Sequence, residues 1–270
     1  MRRSGHARIA VVTLLVLATG ASLAALPLPP ATLAGWAAYI STTERRIERE
    51  QASTDRFLAQ DFAADSAGRR GALQRGGILV DRVDTTGAKG VAIEVPSALV
   101  HHWRGAVLIP GAKLADLLAK LQSGVPASED VLESRILERQ SDRMRVFLRV
   151  QRTKFVTVVY NTEHTVTFRR YGPRRATSTS TATKIAEVES PGTSRERELE
   201  PGDDRGFLWR WNSYWRYEEV AGGVIAECES ISLSRDVPSV LSYVAGPLIR
   251  STARESMERT LATMRVRFRR

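Results

Sequence analysis

Near its C-terminus the chain changes hydrophobic period, and this change limits the folds that are open to it. Between about residues 131 and 234 apolar and polar residues alternate as in strands, whereas from Asp236 onward apolar residues recur at helical spacing. Asp236 and Pro238 are typical of a helix start, with Asp as the N-cap and Pro in the first turn. We therefore predict a long amphipathic C-terminal helix with an apolar stripe of Val240, Leu241, Val244, Leu248, Ile249, Ala253, Met257, Leu261 and Met264.

Six strand-like segments precede this helix, and short polar connections separate most of them. They cover residues 131–139, 143–152, 155–170, 176–188, 206–220 and 223–234. A sheet of this length with an amphipathic helix across it must bury one face of each element. The sequence thus predicts an α+β fold, in which a curved antiparallel sheet grips the C-terminal helix. The space between them is either filled by side chains or left as a cavity.

The part of the chain before residue 131 is predicted to contain both helices and strands. Apolar residues at helical spacing predict one or two helices within residues 31–63, followed by a loop over 65–77. Alternation at Val91, Ile93 and Val95 predicts the first strand, a second run follows over 100–111, and residues 112–122 read as a short helix.

The N-terminus resembles a secretory signal. Arginines at positions 2, 3 and 8 precede the apolar stretch Ile9–Leu17, and Ser22-Leu23-Ala24 fits a small-x-small cleavage site. An uncleaved membrane anchor is the alternative, because no charge follows until Glu44. We predict a signal peptide or anchor over 1–24, an N-terminal helical extension over 25–75 and a ligand-binding domain over 76–270.

The predicted export limits which anionic partners this basic chain can meet. The formal net charge is +10, which suggests attraction to anionic partners, but an exported protein seldom meets nucleic acid. Arginines and one lysine on the outward side of the strands form a basic band that could contact an anionic membrane surface: Arg143, Arg145, Arg149, Arg152, Lys154, Arg169, Arg170, Arg174 and Arg175. The alternative is an ordinary solvated surface.

Cys228 is the only cysteine, so it forms no intrachain disulfide and no multi-thiolate metal site.

Two stretches carry a resemblance to a known family. These are HHWRGAVLIPGAKLADLLAKLQ, with the strands that follow it, and the ending from YWRYEEVAGGVIAECESISLSRDVP through the terminal helix. Over roughly residues 90–266 the chain resembles the START-like, polyketide cyclase and lipid-transport (helix-grip, SRPBCC) superfamily, in its bacterial exported branch. The resemblance implies a cavity for a hydrophobic ligand between sheet and helix. It implies no shared catalytic motif.

The aromatic stretch WRWNSYWRY at 209–217 contains three of the five tryptophans. Strand alternation predicts an inward aromatic face of Trp209, Trp211, Ser213, Trp215 and Tyr217. The opposite face, which is predicted to point outward, carries Arg210, Asn212, Tyr214, Arg216 and Glu218. The inward rings either line a pocket or fill the core. Our candidate cavity lining combines such faces: Trp209, Trp211, Trp215, Tyr217, Val146, Leu148, Val156, Val158, Tyr160, Val244, Leu248, Met257 and Leu261.

Catalytic and metal patterns are weak. His101 and His102 are adjacent in a strand and point to opposite faces, so they cannot readily share a metal. Glu227 and Glu229 share one face and could do acid–base chemistry inside a cavity. The chain has no G-x-S-x-G nucleophile motif and no glycine-rich phosphate loop. We predict no cofactor and no metal.

These observations predict an exported, periplasmic or secreted protein that binds a hydrophobic small molecule or lipid, as a carrier or sensor rather than a catalyst. One alternative is a surface-binding or scaffolding module of the envelope, which would use the basic band. A second alternative is a cyclase- or hydrolase-type enzyme that uses the same cavity. Oligomeric state and the identity of the ligand stay open.

Overall fold

The computed structural model describes residues 28–87, 90–124, 130–153, 157–236 and 239–269, with the backbone alone over 239–253. Three helical elements come first: helix α1 (Pro30–Gln51), a short 3-10 helix (Ala59–Phe62) and helix α2 (Ser66–Gln74). Helix α3 (Leu114–Gln122) interrupts the strands, and helix α4 (Ser239–Phe268) follows them. The prediction of a long C-terminal helix is confirmed. Val156 lies outside the described residues, as do the side chains of Val244 and Leu248.

Within the described residues, nine strands form one curved antiparallel sheet. They are β1 (Ile78–Arg82), β2 (Ala98–Pro110), β3 (Val131–Arg139), β4 (Arg143–Thr153), β5 (Thr157–Arg170), β6 (Arg175–Glu189), β7 (Arg197–Glu198), β8 (Arg210–Val220) and β9 (Gly223–Arg235). Their order across the sheet is β1-β2-β9-β8-β6-β5-β4-β3, and the two-residue β7 pairs with β6.

Helix α4 lies across one face of this sheet, over β1 and β2. Leu261 and Met257 of α4 are buried in a core cluster with residues of β2, β9 and α3. Gly105 of β2 makes the close approach possible, since a Cβ atom there would lie 2.6 Å from Leu261 Cδ1. A curved sheet around a C-terminal helix is the helix-grip arrangement, so the predicted fold class is confirmed. We call the face of the sheet that meets α4 the front face.

Helix α1 covers part of the opposite face, which we call the back face. Trp36, Tyr39 and Ile47 of α1 pack there with Ile231 and Leu233 of β9. The helical extension therefore packs on the sheet. Within the described residues, no helix combines the length and the apolar character needed to cross a membrane.

Two local predictions are wrong. Residues 66–74 form α2 rather than a loop, because the Asp65 carboxylate caps the helix by accepting a hydrogen bond from the Gly68 N–H at 3.1 Å. The first strand is β1, not the stretch 91–95. That stretch contributes one isolated bridge between Thr86 and Ala92, and its Ile93 and Val95 pack beneath α1.

Candidate functional site

A cavity of about 910 Å³ lies between the front face of the sheet and the C-terminal half of α4. Strands β4, β5, β6, β8 and β9 form its walls, and α4 covers it with Met257 and Met264. This volume falls within the range of small-molecule sites, roughly 300–1,000 Å³. The structure thus has both a packed core, next to β1 and β2, and a cavity further along the sheet.

One wall of the cavity is apolar. It is built from alternate residues of β4 and β5, namely Met144, Val146, Leu148, Val150, Val158, Val166 and Phe168. The intervening residues of β4 point to the other side of the sheet, where Arg145, Phe147 and Arg149 lie. Strand alternation alone therefore separates an apolar cavity wall from a charged exterior.

The aromatic strand β8 contributes three rings. Trp211, Trp215 and Tyr217 line the cavity, and the rings of Trp215 and Tyr217 stack with centroids 6.0 Å apart and planes 4° from parallel. Trp209 does not join them, and its predicted place on the inward face is wrong. Strand β8 begins only at Arg210, and the Trp209 ring packs with the α1 cluster on the back face.

The other candidate lining residues divide into three groups. Those whose side chains line the cavity are Val146, Leu148, Val158, Tyr160 and Met257. Leu261 does not line it, because its side chain is fully buried in the core over Gly105. Val156, Val244 and Leu248 fall where the structure gives no side-chain description. Ligand contact by any of these residues stays a prediction.

His164 is a polar residue buried in the cavity wall. Its Nε2 lies 3.0 Å from Thr162 Oγ1, and its Nδ1 lies 3.2 Å from Ser180 Oγ. The Thr162 hydroxyl donates its proton to the Leu148 carbonyl, so Nε2 must be the donor to Thr162 and Nδ1 the acceptor from Ser180. Burial lowers the pKa of His164 to about 4, which keeps the ring neutral at pH 7.

The Tyr160 hydroxyl also belongs to this wall. The residue is 2% exposed, and among the described residues its hydroxyl has no hydrogen-bond partner. Burial raises its pKa, and the nearby Glu187 carboxylate adds to the increase. Glu187 is itself held by Arg205, whose Nε lies 2.9 Å from its carboxylate. Tyr160 can therefore offer a neutral O–H donor to a polar atom of a bound molecule.

Charged side chains meet where β3 and β4 approach α4. Asp130 lies 3.2 Å from the Arg259 guanidinium of α4 and 3.5 Å from that of Arg152. All three residues line the cavity. These ion pairs connect α4 to the edge of the sheet at the rim of the cavity.

The back face carries a buried ionic network instead of the expected solvated surface. Glu229 accepts a hydrogen bond from His102 Nε2 at 2.7 Å and pairs with Arg46 of α1. Burial acts to raise the pKa of Glu229, but His102, Arg46 and Arg104 outweigh it and lower the pKa to about 2. The His102 Nδ1 lies 2.9 Å from the Tyr39 hydroxyl of α1.

Glu227 lies in the same network. It accepts hydrogen bonds from the N–H groups of Ala59 and Gln60 at 2.7 and 3.1 Å, and burial raises its pKa. Arg216 reaches Glu50 of α1 and the Phe57 carbonyl. Glu227 and Glu229 thus face away from the cavity, so the idea that they do acid–base chemistry inside it is wrong. Within the described residues, no cluster of three or more His, Cys, Asp or Glu could hold a metal.

Three arginines of the predicted basic band are paired with carboxylates on the outer surface. Arg145 meets Glu163, Arg149 meets Glu196 and Arg175 meets Glu218, each at 2.8–2.9 Å. Arg152 belongs to the cavity rim rather than to the outer surface. Lys154 lies outside the described residues. Pairing leaves this face less positive than a count of its arginines suggests.

The polar wall of the cavity carries six serines, of which only Ser213 was predicted to face inward. They are Ser178, Ser180, Ser213, Ser230, Ser232 and Ser234. Their signal was present in the alternating patterns TSTST at 177–181 and SISLS at 230–234, each of which puts serine on one strand face.

The comparisons with known proteins find similarity in solved structures only. No protein-family model matches the chain, and no curated protein matches it in sequence. The chain is similar to a STAR-related lipid transfer protein from Xanthomonas axonopodis (19% identity, 66% of this chain, 97% of that chain, TM-score 0.44). It is also similar to human StAR-related lipid transfer protein 5 (12%, 86%, 98%, 0.38) and to a START superfamily protein from Mycobacterium smegmatis (9%, 63%, 96%, 0.37).

Proposed function

We propose that this chain is an exported protein that binds a hydrophobic small molecule or lipid in the cavity beneath α4, as a carrier or sensor. The observation that carries the proposal is the cavity of about 910 Å³, whose wall on β4 and β5 is largely apolar. Burying apolar surface provides about 25 cal/mol per Å². An apolar molecule that enters this cavity is therefore held without any covalent step.

The cavity wall also suits a ligand with a few polar atoms. Tyr160 and the serines of β6, β8 and β9 supply hydrogen-bonding groups at fixed positions, and such groups orient a ligand that apolar contacts hold. Export is supported by the pattern of the first 24 residues, with three arginines before an apolar stretch and a small-residue site after it. A cell-fractionation experiment with the full chain would test export. Recovery in the cytoplasm would contradict it.

The binding test uses the purified protein and two readouts. Native mass spectrometry should detect a co-purified molecule that is released on denaturation, and 1-anilinonaphthalene-8-sulfonate should bind with a large gain in fluorescence. A chain that carries nothing and does not bind this probe would contradict the proposal.

A second candidate is an enzyme of the cyclase or hydrolase type. Two buried polar groups in the cavity wall, His164 and Tyr160, favour it. Such an enzyme would convert its co-purified ligand, so a mass change of that ligand on incubation would support this candidate. An unchanged ligand after long incubation would favour the carrier.

An envelope-surface module has less support, because many arginines of the basic band are paired with carboxylates. Sedimentation with vesicles of phosphatidylglycerol at low and high salt would test it. Salt-sensitive binding would support a membrane role.

A further inference from the structure

Three serines form a row across the front face, at right angles to the strands. Ser180 of β6 is paired in register with Ser213 of β8, and Ser213 is paired with Ser230 of β9. The row ends at Val166 of β5 on one side and at Trp103 of β2 on the other. All five side chains line the cavity. The row is therefore a continuous polar line across the floor of the cavity.

Two indole rings border the row. Trp211 and Trp215 lie two residues before and two residues after Ser213 on the same face of β8. The Trp211 ring is fixed by edge contact with His164, at 5.1 Å between centroids and 87° between planes. The Trp215 ring is stacked on Tyr217. A flat hydrophobic molecule that lies along the row would contact these rings on either side.

The row is polarised by its neighbours. Ser180 donates its proton to His164 Nδ1, as the tautomer argument above requires, so Ser180 can offer only lone pairs to the cavity. Ser230 accepts the Trp211 indole N–H at 3.1 Å, which leaves its own O–H to donate. Ser213 lies between them, partly exposed to the cavity, and can do either.

The spacing follows from the sheet. Neighbouring strands lie about 4.8 Å apart, so Ser180 and Ser230 are separated by two strand spacings, roughly 10 Å. We infer that the ligand is a rigid hydrophobic molecule with a hydrogen-bond donor at one end and an acceptor at the other, two strand spacings apart. This inference rests on the proposed function of the cavity. It specifies a hydroxyl group that meets Ser180 and a carbonyl group that meets Ser230.

Three probes with one carbon skeleton test this assignment. Androstane has no oxygen, androsterone carries a hydroxyl at one end and a ketone at the other, and androstanedione carries a ketone at both ends. Dissociation constants would be measured at pH 7 by quenching of tryptophan fluorescence. We expect androsterone to bind roughly 3- to 10-fold more tightly than androstanedione, because a ketone cannot donate to Ser180. Androstane should bind more weakly than androsterone.

Serine-to-alanine variants test whether the serine row causes the differences in affinity between the probes. Ser230→Ala should weaken androsterone and androstanedione roughly 3- to 10-fold and leave androstane unchanged, since only the oxygenated probes use the Ser230 hydroxyl. Ser141→Ala is the control, because Ser141 is exposed in the connection between β3 and β4 and does not line the cavity. It should change none of the three constants.

Each other outcome overturns the inference. Equal affinity for the three probes, or equal losses in Ser230→Ala and Ser141→Ala, would show that the row does not select polar ends, while the proposed function would stand. No binding of any probe, together with no binding of 1-anilinonaphthalene-8-sulfonate, would contradict the proposed function as well.

Discussion

Gly105 of β2 lies directly beneath Leu261 of α4, and the absence of a side chain at Gly105 sets how close the helix comes to the sheet. A Cβ atom at position 105 would lie 2.6 Å from Leu261 Cδ1 and 2.9 Å from the Leu79 carbonyl oxygen. Leu261 is fully buried in this contact. The C-terminal half of α4 is thus anchored to β2 here, and the cavity lies between the same half of the helix and the strands further along the sheet.

Gly105→Ala should reduce the free energy of unfolding by about 1–3 kcal/mol, because the added methyl group overpacks a close contact. The measurement is urea denaturation followed by tryptophan fluorescence. Gly71→Ala in α2 is the control, since the added Cβ would meet only the flexible end of Arg75 at 3.2 Å. Equal stability of Gly105→Ala and wild type would mean that the helix is not held by this approach.

The back-face network predicts a large loss when one carboxylate is neutralised. Glu229→Gln should cost about 3 kcal/mol, because Arg46 and His102 would lose a buried charged partner. Glu196→Gln removes a more exposed pair with Arg149, so it should lower the denaturant midpoint much less than Glu229→Gln does. Denaturant midpoints of the two variants provide the comparison. Similar midpoints would rule out a special contribution from the buried pair.

The local pattern of the sequence was enough to predict much of the fold. The change from period two to helical period near Asp236 predicted the order of strands and closing helix, because each element must bury one face. The same alternation correctly predicted that Val146, Leu148 and Trp211 share the front face. These are properties of single strands, and they do not depend on which strands become neighbours.

Features that depend on strand pairing and on packing by other elements could not be predicted from the sequence. Arg216 and Glu218 look like solvent-facing residues, yet they are buried because α1, the connection that follows it and α2 supply partners for them. The serine row exists only because the registers of β6, β8 and β9 bring Ser180, Ser213 and Ser230 into line. A shift of one residue in either pairing would turn the serines to opposite faces.

Acid should destabilise the protein in two steps. Burial lowers the pKa of His164 and His101 to about 4 from an ordinary value near 6.5, so the unfolded chain binds these protons first. Stability that is full above pH 6.5 is therefore lost between about pH 6.5 and 4, on the order of 3 kcal/mol per histidine. The lowered pKa of Glu229, about 2, extends the loss from about pH 4.5 downward.

His164→Gln separates these contributions. It should flatten the dependence of the denaturant midpoint on pH between 6.5 and 4, whereas Glu229→Gln should keep the wild-type slope in that range. Urea titrations at four pH values provide the measurement. A His164→Gln profile parallel to that of the wild type would show that this ring does not resist protonation in the folded state.

We expect a larger side chain at Val146 to weaken binding in the cavity. This residue is 1% exposed on β4, it lines the cavity, and it is paired with His164 across the sheet. Val146→Trp directs a large ring into the space that a ligand would use, so binding of 1-anilinonaphthalene-8-sulfonate should weaken at least about tenfold, or 1.4 kcal/mol.

Phe147→Trp is the matched control for that variant. Phe147 is the next residue of β4, its ring lies on the opposite side of the sheet, and the Arg135 guanidinium sits 4.4 Å from its centroid. A tryptophan there keeps an aromatic surface for Arg135 and does not reach the cavity, so probe binding should stay at the wild-type level. If Val146→Trp bound the probe as tightly as Phe147→Trp does, the probe would have to bind somewhere other than beneath α4.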